Sequence, residues 1–270
     1  MGYEGYRALR IRVDDGVAWV AIDHPPINLF DAVLIGDMDR LSRALEADPD
    51  VRVVVLESAD PDFFIAHADV KLILGLRAAV SPATEPSFFQ AMVERFRTMP
   101  KVTIATIAGM CRGGGSELAL SMDMRFAALG RAVLGQPEVA VGIIPGGSGT
   151  QRLPRLVGRS RALEIALGAD DFPADLAERY GYVNRALPPD ELRPFVERLA
   201  RRIASFPPEA VARAKAAVLA AEVGVRDGLV LEARAFEECL TFPEARRRME
   251  AFLAAGGQTR EVEARTGAFG

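Results

Sequence analysis

The chain has 270 residues, half of them hydrophobic and 26% charged, a composition that folds in water as one large domain or as a domain with an appendage. Its formal charge of −4 comes with no long basic stripe, which argues against nucleic acid as a partner but leaves room for a local patch facing a phosphorylated small molecule. No apolar run approaches the roughly 18 residues needed to cross a bilayer, so no membrane association is expected.

The N-terminal MGYEGYRALRIRVDDG has neither an apolar signal core nor the Ser/Thr of a myristoylation pattern, and a cytoplasmic protein is expected. Residues 8–13 and 17–22 read as strands around the hairpin turn Asp14-Asp15-Gly16, and His24-Pro25-Pro26 ends the second. Asn28 follows in an exposed-looking turn. Leu34, Met38, Leu41 and Leu45 recur at helical spacing up to Asp48-Pro49, and Val51 to Leu56 is an apolar, β-branched strand. A second helix over 90–99 and a second buried strand from Val102 to Ile107 repeat the unit. Each of these two strands leads into a loop rich in chemistry, ADPDFFIAHADV and AGMCRGGGSE, and ligand sites gather at such strand exits. Between them, residues 70–99 hold an apolar piece, a Pro/Ser/Thr break at 81–87 and the helix. Leu72, Ile73, Leu74, Leu76, Phe88 and Phe89 could wall a hydrophobic pocket or simply pack.

Ser116 to Met124 reads as a helix and Arg125 to Leu134 as strand, turn and strand. Helices are expected near 160–168 and 173–180, then a short strand in YGYVNRALP. From Glu191 the pattern is helical: 191–205, 208–222, 226–240 and a last segment from Phe242-Pro243-Glu244 to about Ala255. This composition shift divides the chain into a core domain over 1–199, a helical subdomain over 200–257 and a tail over 258–270 that frays.

Three glycines in a row at 113–115 let a backbone approach another group closely, and at a helix start their N–H groups suit an oxygen that turns negative during reaction. The same run could be a packing turn. Glu117 and Glu138 lie nearby in poorly charged sequence. They could serve as an acid and a base, or as a helix cap and a solvated turn residue. Cys111 and Cys239 make no CxxC or zinc spacing, no metal site is expected, and Cys111 reads as a packing thiol. Arg112 could meet a phosphate or face solvent. His24, at its Pro turn, reads as structural or adjacent to a ligand, and Asp69 reads as the cap of the helix that follows it.

FFIAHADV at 63–70, AGMCRGGGSELAL at 108–120 and LGQPEVAVGIIPGGSGTQRL at 134–153 together resemble the crotonase superfamily, the enoyl-CoA hydratase/isomerase family. PPINLF, YGYVNRALP and TFPEARRRMEAF extend the likeness over nearly all of the chain. The resemblance implies an α/β fold, a spiral of β-β-α units with a C-terminal helical subdomain. It also implies an acyl-CoA thioester substrate whose carbonyl oxygen sits between the backbone N–H groups of Ala68 and Gly114. Glu117 and Glu138 would be the catalytic acid/base pair that adds water to a trans-2-enoyl-CoA. Ile27, Leu29, Ala66, His67, Asp69, Gly113, Pro137 and Gly146 would lie along the substrate, with Asn28 fixing its turn by hydrogen bonds. No separate cofactor is implied, coenzyme A being part of the substrate, and the assembly implied is a homotrimer or a dimer of trimers. Phe236, Phe242 and Arg248 would be candidates to touch a neighbouring subunit or its nucleotide.

Two positions depart from the family pattern: His67 stands where glycine is usual, and GGSGT replaces the commoner GAGGT. The rivals are another crotonase-type reaction (isomerase, decarboxylase or thioester hydrolase) and a non-catalytic acyl-CoA-binding protein. One isomerase type carries an aspartate eight positions beyond the second glutamate, where this chain has Gly146.

Overall fold

A computed structural model describes residues 2–76, 84–220 and 225–265. Strand β1 (Leu9–Asp14) turns through Asp15 and Gly16, both at positive φ, into β2 (Val17–Ile22), its antiparallel partner. Helix α1 (Ala32–Ala47) starts where the Asp31 carboxylate accepts from the N–H groups of Val33 and Leu34, and it buries Leu34, Met38, Leu41 and Leu45. Then come β3 (Val53–Ser58), β4 (Phe63–Ile65), α2 (Val70–Gly75) and α3 (Phe88–Thr98), the last opened by a Ser87/Gln90 capping box. The expected break at 81–87 lies partly outside the described residues.

The middle of the chain holds β5 (Val102–Ile107), β6 (Met110–Arg112), α4 (Gly114–Ser121), β7 (Met124–Ala128), β8 (Val133–Gly135) and a 3-10 turn (Glu138–Val141). After it run α5 (Gly149–Val157), α6 (Arg159–Gly168), β9 (Phe172–Pro173), α7 (Ala174–Tyr180) and β10 (Arg185–Leu187). The helical end comprises α8 (Pro189–Ala204), α9 (Pro208–Leu219), α10 (Val225–Leu240), α11 (Pro243–Ala254) and the short α12 (Arg260–Glu263). No described helix is long and apolar enough to cross a membrane.

Repeated β-β-α units feed two sheets. The larger runs β1-β2-β3-β5-β7-β10 and is parallel beyond its first hairpin; the smaller runs β4-β6-β8-β9. After β1, β2 and α1, the chain leaves the larger sheet at β3 and at β5, each time adding one short strand to the smaller sheet (β4, β6) and returning through helix; after β7 it adds two, β8 and β9, before β10. In the smaller sheet β4, β6 and β8 are parallel neighbours, with Ile65 beside Cys111 and Arg112 beside Gly135. Three distant stretches therefore leave adjacent strands at the same end: 66–69, 113–117 and 136–138. The chemistry-rich loops predicted to follow β3 and β5 directly are separated from them by these short strands. Likewise, β7 and β8, read as one strand-turn-strand, belong to different sheets.

The expected subdomain boundary at 200 falls inside α8, whose Leu192, Val196, Ala200 and Ala204 pack into the main core. Helices α10 and α11 cover a second apolar cluster with Val70, Val141 and Ile143. The expected fraying after Gly256 does not describe residues 258–265, where α12 buries Glu263 completely; residues 266–270 lie outside the description.

Helix α4 lies directly on β4, and Gly115 makes this contact: a Cβ there would stand 2.6 Å from the Ile65 Cβ. Gly115→Ala is predicted to force the two apart at a cost of about 1–3 kcal/mol, read as a lower denaturant midpoint. An unchanged midpoint would contradict this packing.

Candidate active site

Peptide planarity decides where two backbone N–H groups point. Phe30 and Ala68 form an isolated parallel bridge in which the Phe30 N–H donates to His67 O at 2.9 Å and the Asp69 N–H to Phe30 O at 3.1 Å. A trans peptide aims its C=O and N–H in opposite directions, so the Ala68 N–H turns away from the Phe30 backbone. Gly113 takes φ +49°, in the region that favours glycine, and its carbonyl accepts the Glu117 N–H at 2.9 Å. The N–H of Gly114, first residue of α4, therefore points out of the helix start, where no intrahelical acceptor exists. A Cβ on Gly114 would lie 3.4 Å from that of Ala68, so the two groups are neighbours. Among the described residues neither N–H meets a protein acceptor.

Both groups stand on the wall of a cavity of about 450 Å³, together with Glu117 and Glu138. Leu72, Ile73, Leu76, Phe88 and Phe89 line it, so these side chains of the 70–99 stretch serve as pocket wall; Leu74 packs instead against the α10–α11 cluster, and residues 77–83 lie outside the described residues. Phe236, considered for a neighbouring subunit, lines this chain's own cavity. Phe242 is exposed and Arg248 pairs with Glu244. A wider cleft of about 530 Å³ lies under α9, but it lacks a carboxylate pair, and of the cations that line it Arg97 and Arg152 are engaged by Glu94 and Lys215 by Asp123.

Glu117 is nearly inaccessible. Its Oε1 accepts from the N–H groups of Gly147 and Gly149, at 2.7 and 2.8 Å. Between those donors Ser148 adopts φ +119°, costly for a residue with a side chain. Its buried hydroxyl accepts from Arg152 Nε at 2.8 Å, which ties the strained residue into α5. Gly147 leaves room for the other oxygen, since a Cβ there would lie 2.5 Å from Glu117 Oε2. Glu138 is braced by Gln136, whose amide nitrogen, oriented toward the carboxylate, donates to both oxygens at 3.1 Å while its oxygen accepts from Ser116 Oγ at 3.2 Å.

A third carboxyl, on Glu232, lies buried behind the site and accepts from the Thr150 N–H at 2.9 Å and the Gln90 amide at 3.1 Å. Burial and the Glu232 charge push the Glu117 carboxyl up to about 8, against the pull of its two N–H donors and Arg152. Burial and the Glu117 charge push Glu138 well above the usual carboxylate range. Carboxyls sharing one dry wall resist ionising together, so one can be an acid while the other is a base.

Of the other residues singled out by sequence, Asp69 and Gly146 line the cavity. Ile27, Leu29, Ala66, His67, Gly113 and Pro137 are not on its wall: Ile27 and Ala66 pack with Phe63 and Leu29 behind the loop, and His67 points to Glu263. Asp69 caps α2 through the Lys71 N–H. Asn28 is buried rather than exposed, because its amide donates to Ser58 Oγ, Phe63 O and Phe64 O and accepts from the His24 N–H. Arg112 is neither solvated nor placed to receive a phosphate: it is buried in a two-point pair with Asp171 at 2.6 and 2.7 Å. His24 bonds Asp31 at 2.9 Å. Cys111 is buried, which pushes its thiol up and leaves it inert. Gln90, Thr150 and Glu232 were invisible to sequence reasoning as site residues. Gln90 carried a capping signal, but Glu232 lies in a helix of ordinary charge pattern. No group of three or more His, Cys, Asp or Glu among the described residues could hold a metal ion.

Known proteins share this arrangement of elements. The family model described as enoyl-CoA hydratase/isomerase matches residues 12–256. A crotonyl-CoA hydratase of Syntrophomonas wolfei is 34% identical over 250 residues, covering 92% of this chain and 95% of its own. A short-chain-enoyl-CoA hydratase of Clostridium acetobutylicum is 34% identical over 239 residues, covering 88% and 91%. A crystal structure of a Streptomyces avermitilis protein assigned as an enoyl-CoA hydratase superposes with a TM-score of 0.89 at 41% identity, covering 96% of this chain and 95% of that one.

Because the folded chain holds the Glu117 proton more tightly than the unfolded chain, its contribution to stability is full below the ordinary carboxyl value of 4.5 and is lost as pH rises through about 8. Denaturant midpoints are predicted to fall between about pH 5 and 9, and Glu117→Gln, neutral throughout, to flatten part of that slope. Identical slopes in the two proteins would contradict the raised carboxyl.

Proposed function

Since the chain belongs to the enoyl-CoA hydratase/isomerase family, we propose that it adds water reversibly across the α,β-double bond of a trans-2-enoyl-CoA thioester. The observation that carries this reading is the meeting, on one largely apolar cavity, of two acceptor-free N–H groups and two buried carboxyls. In it the thioester oxygen accepts from Ala68 and Gly114 while the acyl chain lies among Leu72, Phe88 and Phe89. Water attacks C3 as one carboxyl takes its proton, the double-bond electrons shift toward the thioester oxygen, and the other carboxyl delivers a proton to C2. Fixed N–H donors count most on that developing charge; removing one such donor typically costs about 2.7–4 kcal/mol.

Relatives named as crotonyl-CoA and short-chain-enoyl-CoA hydratases support the same chemistry. Asp69 and Gly146 are proposed to line the acyl group. Coenzyme A enters as part of the substrate, and the proposed assembly is a homotrimer or a dimer of trimers. An isomerase using an acid at position 146 is disfavoured on space, since even a Cβ on Gly146 would stand 2.6 Å from the Phe236 ring.

Loss of the conjugated-thioester absorbance of crotonyl-CoA tests the proposal. The wild type should hydrate it, and Glu117→Gln and Glu138→Gln should each lower kcat about 10²–10⁴-fold with circular dichroism unchanged. Saturable binding with no hydration by the wild type would refute the assignment.

A further inference from the structure

The short C-terminal turn of α12 reaches both halves of the N–H pair at once. Glu263 is fully buried, and its Oε1 accepts from His67 Nε2 at 2.9 Å and from the Gln258 N–H at 2.7 Å. His67 immediately precedes Ala68, and its Nδ1 lies 2.8 Å from the Ala68 carbonyl oxygen. Both ring nitrogens therefore lie within hydrogen-bond distance of an oxygen, one on Glu263 and one on the Ala68 backbone. On the other flank of Ala68, the Gln258 amide donates to Asp69 Oδ1 at 2.9 Å.

The second half is reached through Arg112, two residues before Gly114. Its Nη1 donates to the Glu263 carbonyl at 3.0 Å and lies 3.8 Å from Glu263 Oε2, while Asp171 holds the rest of the guanidinium. His67, Glu263, Arg112 and Asp171 thus belong to one buried network of hydrogen bonds and ion pairs. Burial alone would push the Glu263 carboxyl up, but His67, the Gln258 N–H and Arg112 hold it below the usual range. The His67 Cβ also lies 3.5 Å from where a Cβ on Gly113 would be, so the two backbone segments are close neighbours. A buried network spanning two distant loops fixes their relative position, because breaking it strands a charge away from water.

We propose that the His67–Glu263 pair is a clasp that sets the spacing of the Ala68 and Gly114 N–H groups, which makes both side chains positioning residues for the thioester carbonyl. The clasp rests on the reading above that these N–H groups receive the thioester oxygen.

Its test reads carbonyl polarisation separately from turnover. Butyryl-CoA, a saturated thioester that cannot be hydrated, carries ¹³C at its carbonyl, and infrared difference spectra record the bound band; crotonyl-CoA supplies kcat and KM. In the wild type the band should shift to lower frequency. Glu263→Ala and His67→Gln should return it toward the free value and lower kcat about tenfold or more, with KM within about twofold. Glu263→Gln, which keeps an acceptor for His67, should recover most of both, and His67→Gln carries the test if the alanine variant fails to fold. A folded Glu263→Ala or His67→Gln protein with the wild-type band and kcat would overturn the clasp, whatever its thermal midpoint. A shifted wild-type band without hydration would sink the hydratase reading and leave the clasp standing, whereas an unshifted wild-type band would remove the clasp.

Discussion

The two N–H···O bonds that Gly147 and Gly149 donate to one oxygen of Glu117 hold the site together. They join α4, which begins with the Gly114 N–H, to the turn that opens α5, and they fix a carboxyl group where water cannot solvate it. Hydrogen bonds of this kind contribute about 0.5–1.5 kcal/mol each, enough to offset part of the penalty of burying the group. The same turn keeps Ser148 at a φ that glycine would take more easily, and Arg152 secures its hydroxyl. Strain, buried charge and a cavity wall coincide in a few residues, as expected where a fold holds groups for chemistry at some cost in stability.

Electrostatics then divides the labour. Three buried glutamates, Glu117, Glu138 and Glu232, crowd one region, two of them on the cavity wall, and burial pushes all three toward their protonated forms. Glu232 never reaches the cavity wall. Held by Thr150 and Gln90, it acts on Glu117 by charge alone, so a residue of the C-terminal helices tunes a carboxyl of the central core. The helical end thereby does more than cover the pocket: α10 supplies this charge, and α12 reaches the loop that carries Ala68.

Much of this was legible in sequence because local rules were strong. The hairpin at Asp15-Gly16, the amphipathic α1 and the β-branched strands β3 and β5 carry their periodicity openly. The second sheet was not legible as a sheet: Phe63–Ile65 and Met110–Arg112 are three residues each, too short for any period, and the strand read up to Leu134 carried no sign that it leaves the first sheet. That sheet is what brings Ala68, Gly114 and Glu138 to one place, so motif order pointed to a shared site while local pattern could not show how it forms. Burial of polar groups was equally hidden. Asn28 and Arg112 looked solvent-facing because their partners, Phe63 and Phe64 carbonyls in one case and Asp171 in the other, lie at least 35 residues away. A tail rich in Gly, Arg and Glu looked loose for the same reason: the residue it answers, His67, is 196 positions earlier.

Burial and neighbouring charge outweigh the hydrogen bonds of Glu117, so its carboxyl is predicted to stay protonated at neutral pH. Infrared difference spectroscopy of the ligand-free protein at about pH 7, wild type against Glu117→Gln, measures this directly. The wild type should show a protonated-carboxyl band that the substitution removes and that titrates away as pH rises through about 8. A wild-type spectrum with only carboxylate bands until the pH falls to the ordinary range near 4.5 would contradict it.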